Sequence, residues 1–252
     1  MKTGKKDIKA QKQFDKICKK VGKTIYDFNL IENNDRILVG LSGGKDSLIL
    51  LETLADRKKH IPVSFELFAI HVTAINVGYM ADTKYLADFC EIAGVPLYLE
   101  EVEVDFNREP EKQPCFICSW TRRKMIFNKA KELNCNKIAL GHHFDDAVKT
   151  MLMNLIYHGS FSSLPQKLSM FSGRTQLIRP LLMVPEKELA LYASLCGFSE
   201  HEKTCPYEDL TTRNEMENLL QYIEKLNKDA RKNLFRAMDN IYKEYLPRKK
   251  GR

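Results

Sequence analysis

The sequence holds no apolar run approaching the roughly 20 residues that a membrane-spanning helix needs. Its first residues, MKTGKKDIKAQKQF, lack the apolar core of a secretory signal. These two absences lead to the expectation of a cytoplasmic protein with no membrane partner. The spacings G-x-x-x-x-G-K-[ST] and G-x-G-x-x-G are also missing, which removes two common phosphate-binding fingerprints. There is no internal repeat and no low-complexity linker, so neither a solenoid nor a string of tethered modules fits. What is present is ordinary for a soluble globular chain: 252 residues, 44% hydrophobic and 29% charged. That length suits one large domain, or one domain with an appendage.

Charge is unevenly placed. Residues 1–23 carry nine Lys against Asp7 and Asp15, and residues 225–252 carry ten Lys or Arg against three acids, so each end is +7. The whole chain is also +7, and the middle is therefore acidic. Two basic ends suggest a polyanion held by the termini, against the plainer reading of solvated tails.

Seven cysteines in a chain without a secretory signal do not predict a disulfide framework. Cys18, Cys90, Cys135 and Cys196 sit in helix-like segments among apolar neighbours, where cysteine serves as a small buried hydrophobe. Cys115 and Cys118 differ, forming a C-x-x-C within QPCFICSW. Cys205, in KTCPYED, stands before a proline in a polar turn.

Strand and helix patterns alternate. Strands are expected at 36–41, 65–72, 96–104 and 137–141, with a fifth at 177–182. Helices are expected at 47–57, 79–93, 119–133, 144–158 and 185–196, and only helix follows residue 213. The polar, Gly/Ser-rich stretch 159–176 reads as a mobile loop. Alternation of this kind predicts an α/β fold with a doubly wound, mostly parallel sheet. The expected division is a basic segment at 1–24, the α/β domain at 25–200, and a cysteine turn with C-terminal helices at 201–252.

In such sheets ligands bind at the carboxyl ends of the strands. The stretch LVGLSGGKDSLILL places Ser42, Gly43, Gly44, Lys45, Asp46 and Ser47 at the end of the first strand and the start of a helix. Glycines let the backbone approach a ligand and take positive φ. The free N–H groups and dipole of the first helical turn favour an anion. Lys45 adds a point charge, and Ser42 and Ser47 add hydroxyl donors. The segment reads as a phosphate cradle, and S-G-G-x-D-S resembles the loop of the PP-loop ATP pyrophosphatases.

A second constellation, ALGHHFDDAVKT, puts His142, His143, Asp145 and Asp146 after the fourth strand, at the same edge. Two carboxylates at a helix N-terminus can hold Mg²⁺ against phosphate oxygens, although a helix cap is the plainer role. G-H-H-x-D-D resembles the matching segment of RNA-modifying PP-loop enzymes. Where those carry Glu or Gln, this chain has Lys149, which is left unassigned.

C-x-x-C alone is shared by zinc and redox sites. A thioredoxin-type pair fits poorly, since the motif precedes the fourth strand. Zinc asks for four ligands where three candidates exist. Three thiolates suit a cubane iron–sulfur cluster with one iron left open.

Taken together, residues 20–246 resemble the tRNA 2-thiocytidine synthetase family, through S-G-G-K-D-S, P-C-x-x-C, G-H-H-x-D-D and a third Cys-Pro. The resemblance implies an ATP-dependent tRNA sulfurtransferase of Rossmann-like fold acting on an anticodon-loop cytidine. It implies a [4Fe–4S] cluster on Cys115, Cys118 and Cys205. It also implies that ATP and Mg²⁺ are held by residues 42–47 with His71, Gly141, His142, Asp145 and Asp146, and that Lys45 and Asp46 serve catalysis. Sulfur would come from a cysteine desulfurase persulfide or a similar donor, and a homodimer would fit relatives. Other readings are a tRNA thiouridine synthase, a lysidine-type tRNA ligase, an ATP-using amide synthetase and a non-enzymatic, metal-stapled nucleic-acid-binding module.

Overall fold

The computed structural model describes residues 7–78, 81–109, 111–198 and 212–247. The chain divides into two compact units, Met1–Phe144 with Pro165–Leu210, and Asp145–Leu164 with Thr211–Arg252. This partition differs from the three consecutive segments expected at 1–24, 25–200 and 201–252.

In chain order the larger unit contains α1 (Ile8–Asp27), β1 (Asp35–Leu41), α2 (Lys45–Arg57), β2 (Phe65–Ala74), α3 (Thr83–Ala93), β3 (Leu97–Val102), α4 (Pro114–Glu132) and β4 (Lys137–Ala139). The chain passes through the other unit's α5 (Phe144–His158) and returns for β5 (Lys167–Met170), β6 (Thr175–Ile178) and α6 (Glu186–Cys196). One six-stranded sheet results, in the order β3-β2-β1-β4-β6-β5. Every neighbouring pair is parallel except β5 with β6.

The centre of β1 reads Ile37-Leu38-Val39, an unbroken apolar run whose three residues are all fully buried. Successive side chains of a strand point to opposite faces, and these serve two cores. Ile37 and Val39 pack with Ile17 of α1, Leu48 of α2, Phe89 of α3 and Leu189 of α6. Leu38 packs with Ala130 on α4, with Ile126 and Phe127 beside it. Helices therefore cover both faces, and the continuous run replaces the alternation of a half-wet strand.

The sequence sets residues 1–24 apart as a basic N-terminal segment. From Ile8 onward they form α1, whose Phe14, Ile17, Val21 and Ile25 belong to the main core. The lysines occupy the remaining face. Charge count alone hid a spacing of three and four residues, which makes one apolar stripe on a helix.

The stretch 159–176, expected to be a mobile loop, contains β5 and the start of β6, paired antiparallel with Ser169 opposite Gln176. Its turn runs through Phe171, Ser172 and Gly173, with φ of 51°, 58° and 87°. The Phe171 ring packs edge-on against Phe127 of α4, centroids 5.1 Å apart. A contact with a helix 44 residues away orders this turn, and no local propensity reveals it. β6 stops at Ile178, before Pro180, which cannot donate to a ladder. α4 begins at Pro114, five residues earlier than the periodicity suggested, because proline suits the first helical turn.

The smaller unit is helical: α5, α7 (Thr212–Leu226) and α8 (Ala230–Ala237). Met216 and Leu220, four residues apart on α7, are buried, as is Ala230 at the start of α8.

Candidate functional site

The strand order reverses between β1 and β4: the chain runs outward through β2 and β3, then returns to the other side of β1. Crevices at such a switch point are where open α/β sheets take ligands. Residues 42–47 leave β1 at this point, and Gly141 to His143 leave β4 at the same point.

The loop is shaped by its own side chains. Gly43 has φ of 92°, a region that side-chain-bearing residues avoid. Ser47 Oγ donates to the Gly44 carbonyl at 2.8 Å and accepts the Ser42 amide at 3.2 Å. The Gly44 amide donates to Ser42 Oγ at 3.2 Å. α2 then opens at Lys45, presenting its first-turn amides to the crevice mouth.

Gly141 is the closest link between the two segments. A Cβ built on it would lie 3.1 Å from Ser47 N and 3.2 Å from both Asp46 C and Ser47 Cα. Only glycine allows the end of β4 to touch the loop backbone this closely.

Lys45 Nζ lies 3.2 Å from Asp46 Oδ2 and 3.3 Å from Glu186 Oε1. Buried His143 brings Nε2 to 3.9 Å from Asp46 Oδ2. Burial pushes the Asp46 carboxyl above its ordinary range, and Lys45 and His143 only partly oppose it. For Lys45, burial pulls the pKa down, but Asp46 and Glu186 outweigh it and leave the ammonium above its usual value. Asp46 Oδ1 is buried with no hydrogen-bond partner. An orphaned carboxylate oxygen beside a lysine, at a helix N-terminus lined by a glycine-rich loop, fits a nucleotide phosphate accompanied by a divalent cation. Glu186, at the first position of α6, was missed by sequence reasoning; 141 residues separate it from Lys45, and no local motif marks it.

His71 is 1% exposed and donates Nδ1–H to the Leu41 carbonyl at 2.8 Å, bracing β2 against the end of β1. Its imidazole belongs to the scaffold of the strand ends. A nucleotide contact here would come from backbone groups around Ile70–Val72. His142 lies half-buried in the connection after β4.

In the helical unit, Asp145 and Asp146 occupy the first turn of α5. Asp145 is buried, and its Oδ1 accepts from Arg231 Nη1 at 3.0 Å. Arg231, on α8, also pairs with Glu217 at 2.5 Å and Glu224 at 3.0 Å, both on α7. Lys149 reaches Glu217 at 3.5 Å. The residue left unassigned by sequence thus enters a charge cluster joining three helices. Burial pulls Arg231 down, but hydrogen bonds to Glu217 and Glu224 outweigh it. Hydrogen bonding to Arg231 holds the Glu217 carboxyl below its usual range.

Cys115 and Cys118 lie on the first turn of α4, three residues apart, one exposed and one half-buried. A helix N-terminus favours thiolate, and this spacing lets two sulfurs face one metal group. Burial pushes Cys90 and Cys135 up to about 11, which suits inert core residues. Cys205 lies outside the described residues. The two described thiols fit two corners of a cubane cluster in kind and spacing.

The doubly wound sheet and the glycine loop at its switch point define a PP-loop α/β protein. A family model described as a PP-loop domain matches residues 7–223. The chain is 34% identical to a tRNA-cytidine(32) 2-sulfurtransferase of Geotalea uraniireducens (strain Rf4) over 92% of its length and 94% of the relative's. It is 35% identical to the protein of the same name from Hahella chejuensis (strain KCTC 2396), over 90% and 81% of the two chains. Among solved structures, the U34-tRNA thiolase NcsA from Methanococcus maripaludis with its [4Fe–4S] cluster superposes with a TM-score of 0.74. That match has 27% identity and covers 94% of this chain and 81% of the other. The chain belongs to the tRNA 2-thiocytidine synthetase family of the PP-loop ATP pyrophosphatases.

Proposed function

We propose that this protein is an ATP-dependent tRNA sulfurtransferase that replaces the C2 oxygen of an anticodon-loop cytidine with sulfur. The observation that carries the reading is the contact of Gly141 with the Asp46–Ser47 backbone. It joins the two nucleotide motifs of a chain that also bears a C-x-x-C on a helix N-terminus.

In this reading the amides of residues 43–47 and the start of α2 hold the ATP phosphates. Lys45 neutralises charge that grows on the phosphate as the base carbonyl attacks and pyrophosphate leaves. Asp46 is the residue of this loop that would hold Mg²⁺, with Asp145 or Asp146 assigned by resemblance. Glu186 keeps the Lys45 ammonium in place when the phosphates are gone. Cys115, Cys118 and Cys205 would hold a [4Fe–4S] cluster, whose open iron would carry the donor's sulfur, at the sulfide level, to the adenylated base. The substrate is tRNA, whose target base must leave its stack to reach the loop. A cysteine desulfurase persulfide or a similar donor supplies the sulfur, a homodimer suits the family, and the cytoplasm suits both tRNA and ATP.

A U34 thiolase activity is the second reading, favoured by the superposition on NcsA. The closer sequence identity to cytidine enzymes weighs against it. The test is mass analysis of nucleosides from tRNA of a deletion strain, paired with the absorption spectrum of anaerobically purified protein. Loss of 2-thiocytidine and a brown, iron-containing protein are expected. Loss of 2-thiouridine alone would favour the second reading. A colourless, iron-free protein with unchanged tRNA would remove both.

A further inference from the structure

The loop after β3 and the first turns of α4 enclose a cavity of about 220 Å³, at the same carboxyl edge of the sheet as the nucleotide loop. β3 lies two strands from β1, so the cavity is on the order of 10 Å along the edge from that loop. Phe116 and Trp120 line it, and the two residues are 50% and 40% exposed. Glu103, Asp105, Arg108 and Lys124 complete the walls that matter here. Phe116, Trp120 and Lys124 recur every fourth residue and form one stripe of α4. With about 3.6 residues per turn, Cys115 and Cys118 fall on the opposite side of the helix.

Leaving two large aromatic rings half in water forgoes substantial burial, since each such side chain can bury roughly 150–250 Å². Both are held beneath cations. The Arg108 guanidinium lies 4.9 Å from the Trp120 centroid, and Lys124 Nζ lies 5.6 Å from it. Lys112 Nζ lies 4.9 Å from the Phe116 centroid and is ion-paired with Glu109, which also borders the cavity. Cations already seated on the rings argue against a cationic ligand, which would compete for the same electron-rich faces. A nucleobase instead shares such a site. It stacks on the aromatic ring and the guanidinium plane, while the ammonium groups meet its phosphates. The carboxylates of Glu103 and Asp105 then accept from base amino groups and from the 2′-hydroxyl that RNA alone carries.

We propose that this cavity is a stacking subsite for an unpaired base of the RNA loop, neighbouring the base that reacts. The proposal rests on the tRNA reading above and adds the residues that grip the loop beside the reacting nucleotide. It gives the exposed Trp120 and Phe116 a purpose that the nucleotide site does not.

Trp120 is the single tryptophan of the 252 residues, so its fluorescence reports on this cavity alone. The probe is a seven-nucleotide single-stranded RNA titrated into the full chain, with a blunt RNA duplex of the same sequence as comparison. The expected result is saturable quenching by the single strand, with little by the duplex. Trp120→Ala should weaken binding of the labelled heptamer, read by anisotropy, by roughly 5- to 150-fold, the effect of losing one base–aromatic stack. Trp120→Phe should restore most of it, which a purely structural tryptophan would not require. Absence of quenching, equal quenching by duplex, or wild-type affinity in Trp120→Ala would overturn the subsite. Thiolation is scored separately: quenching without any thionucleoside change in tRNA sinks the proposed function and leaves the subsite standing. Thiolation without quenching does the reverse.

Discussion

Replacing Gly141 by alanine tests whether the nucleotide site depends on contact between two backbones. The new methyl would sit 3.1–3.2 Å from three backbone atoms of Asp46 and Ser47, against an ordinary separation of about 3.5–4.0 Å. No flexible side-chain end is there to give way, so the loop or the end of β4 must move by several tenths of an ångström. Overpacking of this kind costs about 1–3 kcal/mol. At roughly 2–4 °C per kcal/mol for a chain of this size, Tm should fall by about 2–12 °C. The same shift misaligns first-turn amides, and one charge-assisted hydrogen bond lost is worth about 1.5–3 kcal/mol, or roughly 10- to 150-fold in ATP affinity. Gly44→Ala is the matched comparison: the nearest atom to its methyl is Ser42 Oγ at 3.5 Å, and φ is already −71°. It should shift Tm by no more than about 2–4 °C, because the N-cap preference for Gly over Ala, roughly 1 kcal/mol, is partly offset by the lower entropy of the unfolded Ala chain. Differential scanning calorimetry and isothermal titration with a non-hydrolysable ATP analogue supply both readouts. A Gly141→Ala protein that melts and binds nucleotide like wild type would refute the packing argument.

Asp46→Asn should abolish pyrophosphate release without loss of stability. The raised pKa of Asp46 means that its contribution to stability is present below the ordinary carboxylate pKa and is lost as pH rises through the folded-state value. The variant should therefore equal or exceed wild-type Tm at pH 7, an advantage that shrinks in acid; a clear drop at pH 7 would contradict the burial argument. Arg231→Met leaves Asp145 and Glu217 facing each other beside Lys149, and breaking such a part-buried pair costs about 3 kcal/mol. Its lowest thermal transition should fall by several degrees. Because the Glu217 pKa is depressed, the stabilisation it draws from Arg231 is present above the usual carboxylate pKa and lost as pH falls through the depressed value. The wild-type advantage should fade in acid, and equal melting curves at pH 7 would remove the charge cluster from the account. Cys205→Ala should remove the brown chromophore and thiolation but leave ATP binding intact, because the cradle is built from residues 42–47. Retained iron at wild-type stoichiometry would exclude Cys205 as a ligand.

The sequence alone determined the alternation of strands and helices, because buried parallel strands and amphipathic helices leave periods that survive in one dimension. It also located the glycine loop, since S-G-G-K-D-S between an apolar strand and an apolar helix needs no tertiary information to be read as an anion cradle. Only the fold could show the rest. Glu186 reaches Lys45 from 141 residues away, and Gly141 meets Ser47 because β4 returns beside β1 at the reversal of strand order. Phe171 turns a polar stretch into a hairpin by packing on Phe127, and α1 hides a core stripe beneath its lysines. Each of these depends on contacts between residues far apart in sequence, and local propensity carries no record of which distant side chain will fill a given space.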